Sequence, residues 1–346
     1  MNAQKARTTS GATSLALAAS VVLGSASGQA QEFDLTMATL AAPNTAYSKM
    51  ISTIPDRIAQ ATDGRVAVTI NDSLIGGPQL ASSVRDGIVP MSATVHTYLA
   101  AEEPRMAIFN LPGLINDMTD YKYVCDAFWC DDLAELWLEK WNSVVLAEGA
   151  WCVQQLFSKE PIRTIEDFAG KRLRVHNPQT ATIMDALGAK PVPLPTSEIM
   201  PALERGVIDG LFTSTCFGNG QGYWQSAKNV QNWALGPING WAVLINKDAW
   251  AEIPPDLQDA IQAEMAVFQE EALTGYYGFV RAAMEEMKAG GVEFWTAPQS
   301  ERDRIFDPKY TDPAYQSFYE RAAELGFDGE AYVQRVREVL GKDLGQ

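Results

Sequence analysis

The chain has 346 residues, with 27 Lys and Arg against 43 Asp and Glu and a net charge of −16. A charge balance of that sign repels phosphate backbones and excludes nucleic acid as a partner. The length supports about two domains with a substantial core, and four cysteines without paired C-x-x-C spacing disfavour a zinc site.

At the N-terminus, Lys5 and Arg7 precede an apolar stretch from Leu15 to Leu23, and Ser25-Ala-Ser-Gly-Gln-Ala30 supplies small residues before a cleavage point after Ala30. The stretch is about half of the ~20 residues that a membrane span needs, and no cysteine stands at the cleavage point to take a lipid. Residues 1–30 therefore read as a cleavable signal peptide leading to the periplasm. Its removal takes two basic residues and no acidic one, deepening the charge to −18. No later charge-free apolar stretch is long enough for a span, so no membrane insertion of the mature chain is expected.

Strands are expected at Phe33–Leu40, Arg65–Ile70, Met91–Val95 and Ser143–Ala150, and helices at Tyr47–Thr62, Gln79–Asp86 and Asp120–Trp141. The alternation is that of β/α units. Pro55 should kink the first helix or mark a boundary inside it. After Ala150 come strands at Lys171–Val175 and Gly210–Ser214, and helices near Ile165–Phe168, Pro178–Leu187 and Ser197–Arg205, the last capped by Thr196 or Ser197. Trp241–Asn246 is a further strand. A helical pattern then runs from Pro254 to Lys288 with Gly275 inside it, and Gly290-Gly291 ends it. The tail from Ser300 to Leu340 is helical, with breaks at Asp312-Pro313 and Phe327–Gly329.

Cys125 and Cys130 fall in the helix expected over Asp120–Trp141, where five regular residues separate Cα atoms by about 8–9 Å, beyond disulfide reach. A bridge between them requires the helix to start after Cys125. Cys152 and Cys216 complete the set, and three pairings stay open.

In Lys171–Val175, alternation puts Leu173 and Val175 on one face and Arg172 and Arg174 on the other. Arg174 is thus near the carboxyl end of a strand, where open α/β sheets bind ligands, and its planar fork suits a carboxylate. An isolated arginine in such a place more commonly makes a surface ion pair.

The text around it is more specific: Arg163-Thr-Ile-Glu-Asp-Phe-Ala-Gly-Lys-Arg-Leu-Arg-Val175, then Leu187-Gly-Ala-Lys-Pro-Val-Pro-Leu-Pro-Thr-Ser-Glu198, then Ala202-Leu-Glu-Arg-Gly-Val-Ile-Asp-Gly210. In this order the run resembles the extracytoplasmic solute-binding proteins of TRAP transporters, the DctP-type family, usually selective for organic acids. Ala61-Thr-Asp-Gly-Arg-Val-Ala-Val-Thr-Ile70, Leu111-Pro112 and Leu244 to Gln258 extend the likeness over roughly residues 33–300.

The resemblance implies an α/β, two-lobe periplasmic binding protein-like fold with hinge strands and a long helix spanning both lobes. Lobe one would hold residues 31–150 plus about 241–275, and lobe two 151–240 plus about 276–346. The ligand would lie in the cleft between them and be passed to a small and a large integral membrane subunit. No cofactor or metal is expected.

By the same resemblance Arg174 would make a bidentate bond to the ligand carboxylate. The family's second arginine falls on Gln154 and its asparagine on Thr213, and the loss of one positive charge favours a monocarboxylate over a dicarboxylate. Val95, His96 and Tyr98 would face the cleft from the first lobe. Leu40, Val95, Tyr98 and Trp241 would form an apolar wall suited to an aromatic or branched aliphatic body, and Asn177 would lie close enough to touch the ligand. His176 is expected on the Leu173 and Val175 face, away from the cleft.

Two other readings compete. One is a periplasmic receptor serving a sensor kinase or an ATP-driven importer. The other is a secreted hydrolase using Cys152 or Cys216 with a histidine, which gains nothing from the rest of the sequence: there is no G-x-S-x-G, no H-E-x-x-H and no glycine-rich phosphate loop.

Overall fold

The computed structural model describes residues 31–235 and 239–341. The signal-peptide reading of residues 1–30 lies outside them. The strands are β1 (Phe33–Thr39), β2 (Val66–Asn71), β3 (Met91–Val95), β4 (Ser143–Ala150), β5 (Gln154–Ser158), β6 (Arg172–Val175), β7 (Lys190–Pro193), β8 (Gly210–Ser214), β9 (Asn229–Asn232), β10 (Gly240–Asn246) and β11 (Glu293–Thr296). They form two mixed sheets, β2-β1-β3-β10-β4 and β11-β9-β5-β8-β6-β7.

The chain passes from the first sheet to the second between β4 and β5, and returns between β9 and β10. The returning strand β10 fits antiparallel between β3 and β4, with Trp241 opposite Val95 and Gly240 opposite Ala150. Every residue of β10 and of β8 is buried, as expected of central strands covered on both faces. The short strands β7 and β9 escape sequence reading because Lys-Pro-Val-Pro and Asn-Val-Gln-Asn carry little strand propensity.

The helix expected over Tyr47–Thr62 is two helices, Ala46–Ile51 and Ile54–Ala61. Pro55 sits in the first turn of the second, where its missing N–H is not needed. Ile165–Phe168 is a 3₁₀ turn closed by a Thr164–Asp167 capping box. Helix Thr196–Glu204 starts after Pro195 with no side-chain cap from Thr196 or Ser197.

Cys125 and Cys130 are bridged, with Cα atoms 4.7 Å apart, although helix begins at Met118. The segment Cys125–Trp129 between two α-helical stretches is a π-turn, whose wider winding brings residues five apart closer than regular helix allows. The second bridge joins Cys152 to Cys216.

Helices Pro255–Thr274 and Tyr276–Ala289 meet at Gly275, which keeps helical torsions and both flanking backbone bonds. The first packs on β4, where the Glu148 N–H donates to Gln269 Oε1. The second lies on helix Thr215–Gly220, where Asn219 Nδ2 donates to Glu286 Oε2. The joined helices therefore span both lobes.

Pro313 does not break the tail: helix Pro308–Glu324 runs through it, with Thr311, Ala314, Phe318 and Ala322 buried to offset one missing backbone bond. The last helix, Gly329–Val339, returns to the first lobe, placing Tyr332 edge-on to Phe128 and Arg335 against Asp132. No described helix is long and apolar enough to cross a membrane.

Candidate functional site: a cleft with one buried arginine

β6 carries Arg172 and Arg174 on one face, but their surroundings differ. Arg172 forms a half-buried bidentate pair with Asp209. Arg174 is 3 % exposed. Its Nε donates to the Leu194 carbonyl at 2.9 Å and its Nη1 to the Phe212 carbonyl at 3.1 Å. No carboxylate pairs with it among the described residues, so the surface ion-pair reading belongs to Arg172 alone. Burial lowers the Arg174 pKa from the usual arginine value, yet an arginine stays charged in any protein setting.

Arg174 opens onto a cavity of ≈ 50 Å³ between the lobes. From the first lobe come Leu40, Val95, Thr97 and Tyr98, and from the second Gln154, His176, Thr196, Thr213, Ser214 and Phe217. Trp151 and Asn239, on the two crossing segments, complete it. Pairing of β5 with β8 sets Gln155 opposite Thr213 and Gln154 opposite Ser214, which brings the Gln154 and Thr213 positions together beside Arg174. The turn at Gly77 backs the first-lobe side: a Cβ there would stand 2.9 Å from the Tyr98 ring and 3.0 Å from Leu40.

Six of the nine residues named from the sequence line this cavity: Leu40, Val95, Tyr98, Gln154, Arg174 and Thr213. The structure places the other three elsewhere. Trp241 is core: its ring lies across Gly149 on the neighbouring strand, its Nε1 donates to the Ala150 carbonyl, and Tyr47 and Phe268 flank it. His96 is 1 % exposed among Trp129 and Trp137, with Nε2 3.0 Å from Glu148 Oε2. Asn177 caps helix Pro178–Ala186 and donates across the lobes to Asn110.

His176 corrects the sequence reading in the other direction. Strict alternation gives it the face of Arg172 and Arg174, and it lines the cavity with Nε2 2.7 Å from Asn239 Nδ2. Burial, reinforced by the Arg174 charge, pushes its pKa down to about 3, so the ring is neutral. Ser214 and Phe217 were legible in principle, since they lie at and just beyond the carboxyl end of β8. Trp151 and Asn239 carry no local signal. Nor is a thiol nucleophile present here, because Cys152 and Cys216 are bonded to each other.

The model for bacterial extracellular solute-binding proteins, family 7 (DctP), matches residues 37–322. The chain belongs to that family. Among curated relatives, a solute-binding protein of Roseobacter denitrificans is 28% identical over 72% of this chain and 77% of its own length. A monocarboxylate 2-oxoacid-binding periplasmic protein of Nostoc is 24% identical over 78% of this chain and 77% of its own. Two crystal structures share the fold. One is a Bordetella pertussis extracytoplasmic solute receptor binding pyroglutamic acid, with TM-score 0.79 and 20% identity, covering 88% of this chain and 99% of that one. The other is a Sulfurospirillum deleyianum TRAP solute-binding protein with bound succinate, with TM-score 0.77 and 23% identity, covering 89% and 99%. The protein is thus a TRAP/DctP-type extracellular solute-binding protein.

Proposed function

We propose that this solute-binding protein captures a short-bodied organic monocarboxylate between its lobes and hands it, unchanged, to the small and large membrane subunits of a TRAP transporter. The observation that carries the reading is the buried, unpaired guanidinium of Arg174. A buried cation with only neutral carbonyl partners is costly, and a ligand carboxylate supplies the missing charge. Among the described residues, Arg174 is the one charged side chain in the cavity lining, and the neutral His176 adds no second cation. That charge count favours one carboxylate over two.

The volume, well below the roughly 300–1,000 Å³ of drug-sized pockets, favours a short body over the aromatic one expected from an apolar wall. Thr97, Thr213 and Asn239 interrupt that wall. A thermal-shift panel of mono- and dicarboxylates, neutral sugars and amines tests the proposal. Ligand at 100 times its dissociation constant adds about 2.7 kcal/mol. Stabilisation by short monocarboxylates is expected, and stabilisation by neutral compounds or dicarboxylates alone would overturn it.

A further inference from the structure

Trp151 and Phe217 stand edge to face on one wall of the Arg174 cavity, with ring centroids 5.6 Å apart. Both are buried. Each adjoins a bridged cysteine: Cys152 follows Trp151 and Cys216 precedes Phe217, so the disulfide staples the start of helix Thr215–Gly220 to the crossing segment. Tyr47 stacks on Trp151 at 4.4 Å. Ser214 Oγ accepts from the Phe217 N–H and caps the turn that carries the phenyl ring.

The same two rings line a second space of ≈ 20 Å³, whose other walls include Met50, Ala272, Phe279 and the disulfide. Those residues in turn, through Cys216 of the bridge, border a groove of ≈ 340 Å³ between helices Ala46–Ile51, Pro255–Thr274 and Tyr276–Ala289. No residue of the groove lines the Arg174 cavity. The Trp151–Phe217 pair is therefore a partition, with the cavity on one side and largely apolar unfilled space on the other.

An acid whose carboxylate meets Arg174 has ≈ 50 Å³ in which to lay its body, so a longer chain has to displace a wall. Leu40 and Tyr98 cannot retreat, because the Gly77 turn stands directly against them. The two rings have space behind them. Trp151 is further held by its backbone bond to the Asn239 carbonyl and by the Tyr47 stack, which leaves Phe217 as the removable half.

We propose that Phe217 is the specificity-determining residue for ligand length: it closes the cavity to long acids, and its removal joins the cavity to the apolar space behind. This rests on the short-monocarboxylate reading and names the side chain that enforces it.

Calorimetry on the full protein with a straight-chain series, propionate, butyrate, hexanoate and octanoate, tests it. Wild type should bind the two short acids at least about tenfold more tightly than the two long ones, because extra methylenes overpack a closed pocket. Phe217→Ala should invert that order, with each newly buried methylene tightening binding about fourfold, so that hexanoate gains at least about tenfold over wild type. Phe217→Leu should shift the preference the same way by less, and it decides the matter if the alanine variant shows no cooperative melting transition.

Ala272 lines the space behind the partition and not the cavity. Ala272→Phe in the Phe217→Ala background should refill that space and return the preference to the short acids. A merely structural role for Phe217 would weaken all four acids together and would not respond to Ala272→Phe. The proposal is overturned if the Phe217 variants keep the wild-type order, if wild type already prefers octanoate, or if the inverted order survives Ala272→Phe. Failure of every acid to bind wild type removes the monocarboxylate reading with it.

Discussion

Asn177 Nδ2 donates to Asn110 Oδ1 at 3.1 Å, joining the helix that follows Arg174's strand to the first lobe. The same Asn177 side chain caps that helix through Oδ1, accepting from the Thr180 N–H at 2.7 Å. One asparagine therefore sets a helix start and links the lobes that enclose the cavity.

Removal of the link should weaken ligand binding without touching the ligand. Asn110→Ala deletes the acceptor, and a net hydrogen bond contributes about 0.5–1.5 kcal/mol, so affinity should fall several-fold, chiefly through faster release. Stopped-flow release of a bound monocarboxylate measures it. An unchanged release rate would show that the link plays no part in closure.

Arg174→Lys should bind carboxylates far more weakly despite keeping the charge. A lysine ammonium cannot hold two backbone carbonyls and still present a planar fork, and charge-assisted bonds contribute roughly 1.5–3 kcal/mol each. Calorimetry on the folded variant should show a loss of at least about tenfold. Wild-type affinity would remove Arg174 from the site.

The neutral His176 makes stability pH-dependent. Its folded pKa is about 3 against 6.5 for the free side chain, so between these values the unfolded chain binds a proton that the folded one refuses. The stability is full above pH 6.5 and falls as pH drops toward 3, at up to about 1.4 kcal/mol per unit from this group. Urea unfolding of His176→Phe across that range should give a shallower acid slope than wild type. Equal slopes would mean that the ring titrates normally in the fold.

Two glycines should respond oppositely to alanine. At Gly149 a Cβ would stand 2.0 Å from the Trp241 ring, in a core with no room to yield, and the variant should lose about 1–3 kcal/mol or more. At Gly278, inside helix Tyr276–Ala289, nothing lies within 4 Å. There alanine should add about 0.5–1 kcal/mol. Melting temperatures of the pair decide it: a neutral Gly149→Ala would show that Trp241 repacks easily.

The two crossings and Arg174's strand with its polar face are local patterns, carried by alternation, glycine turns and a run of family motifs. These were legible in the sequence because period and turn chemistry act over a few residues. What covers a face is a different matter. Arg172 and Arg174 share a face, yet Asp209 meets only the first, while the Leu194 and Phe212 carbonyls enclose the second.

Trp241, expected at the cleft, turned into the core because Gly149, distant in sequence, leaves space for an indole. His96 was taken up by Glu148, and Asn177 by Asn110. The Cys125–Cys130 bridge depended on a π-turn that no residue type announces. Sequence alone thus determined the family, the two crossings and the arginine, because these rest on short-range geometry. Tertiary structure decided which polar side chains are left free to meet a ligand, because a buried group bonds to whatever long-range packing brings within about 3 Å.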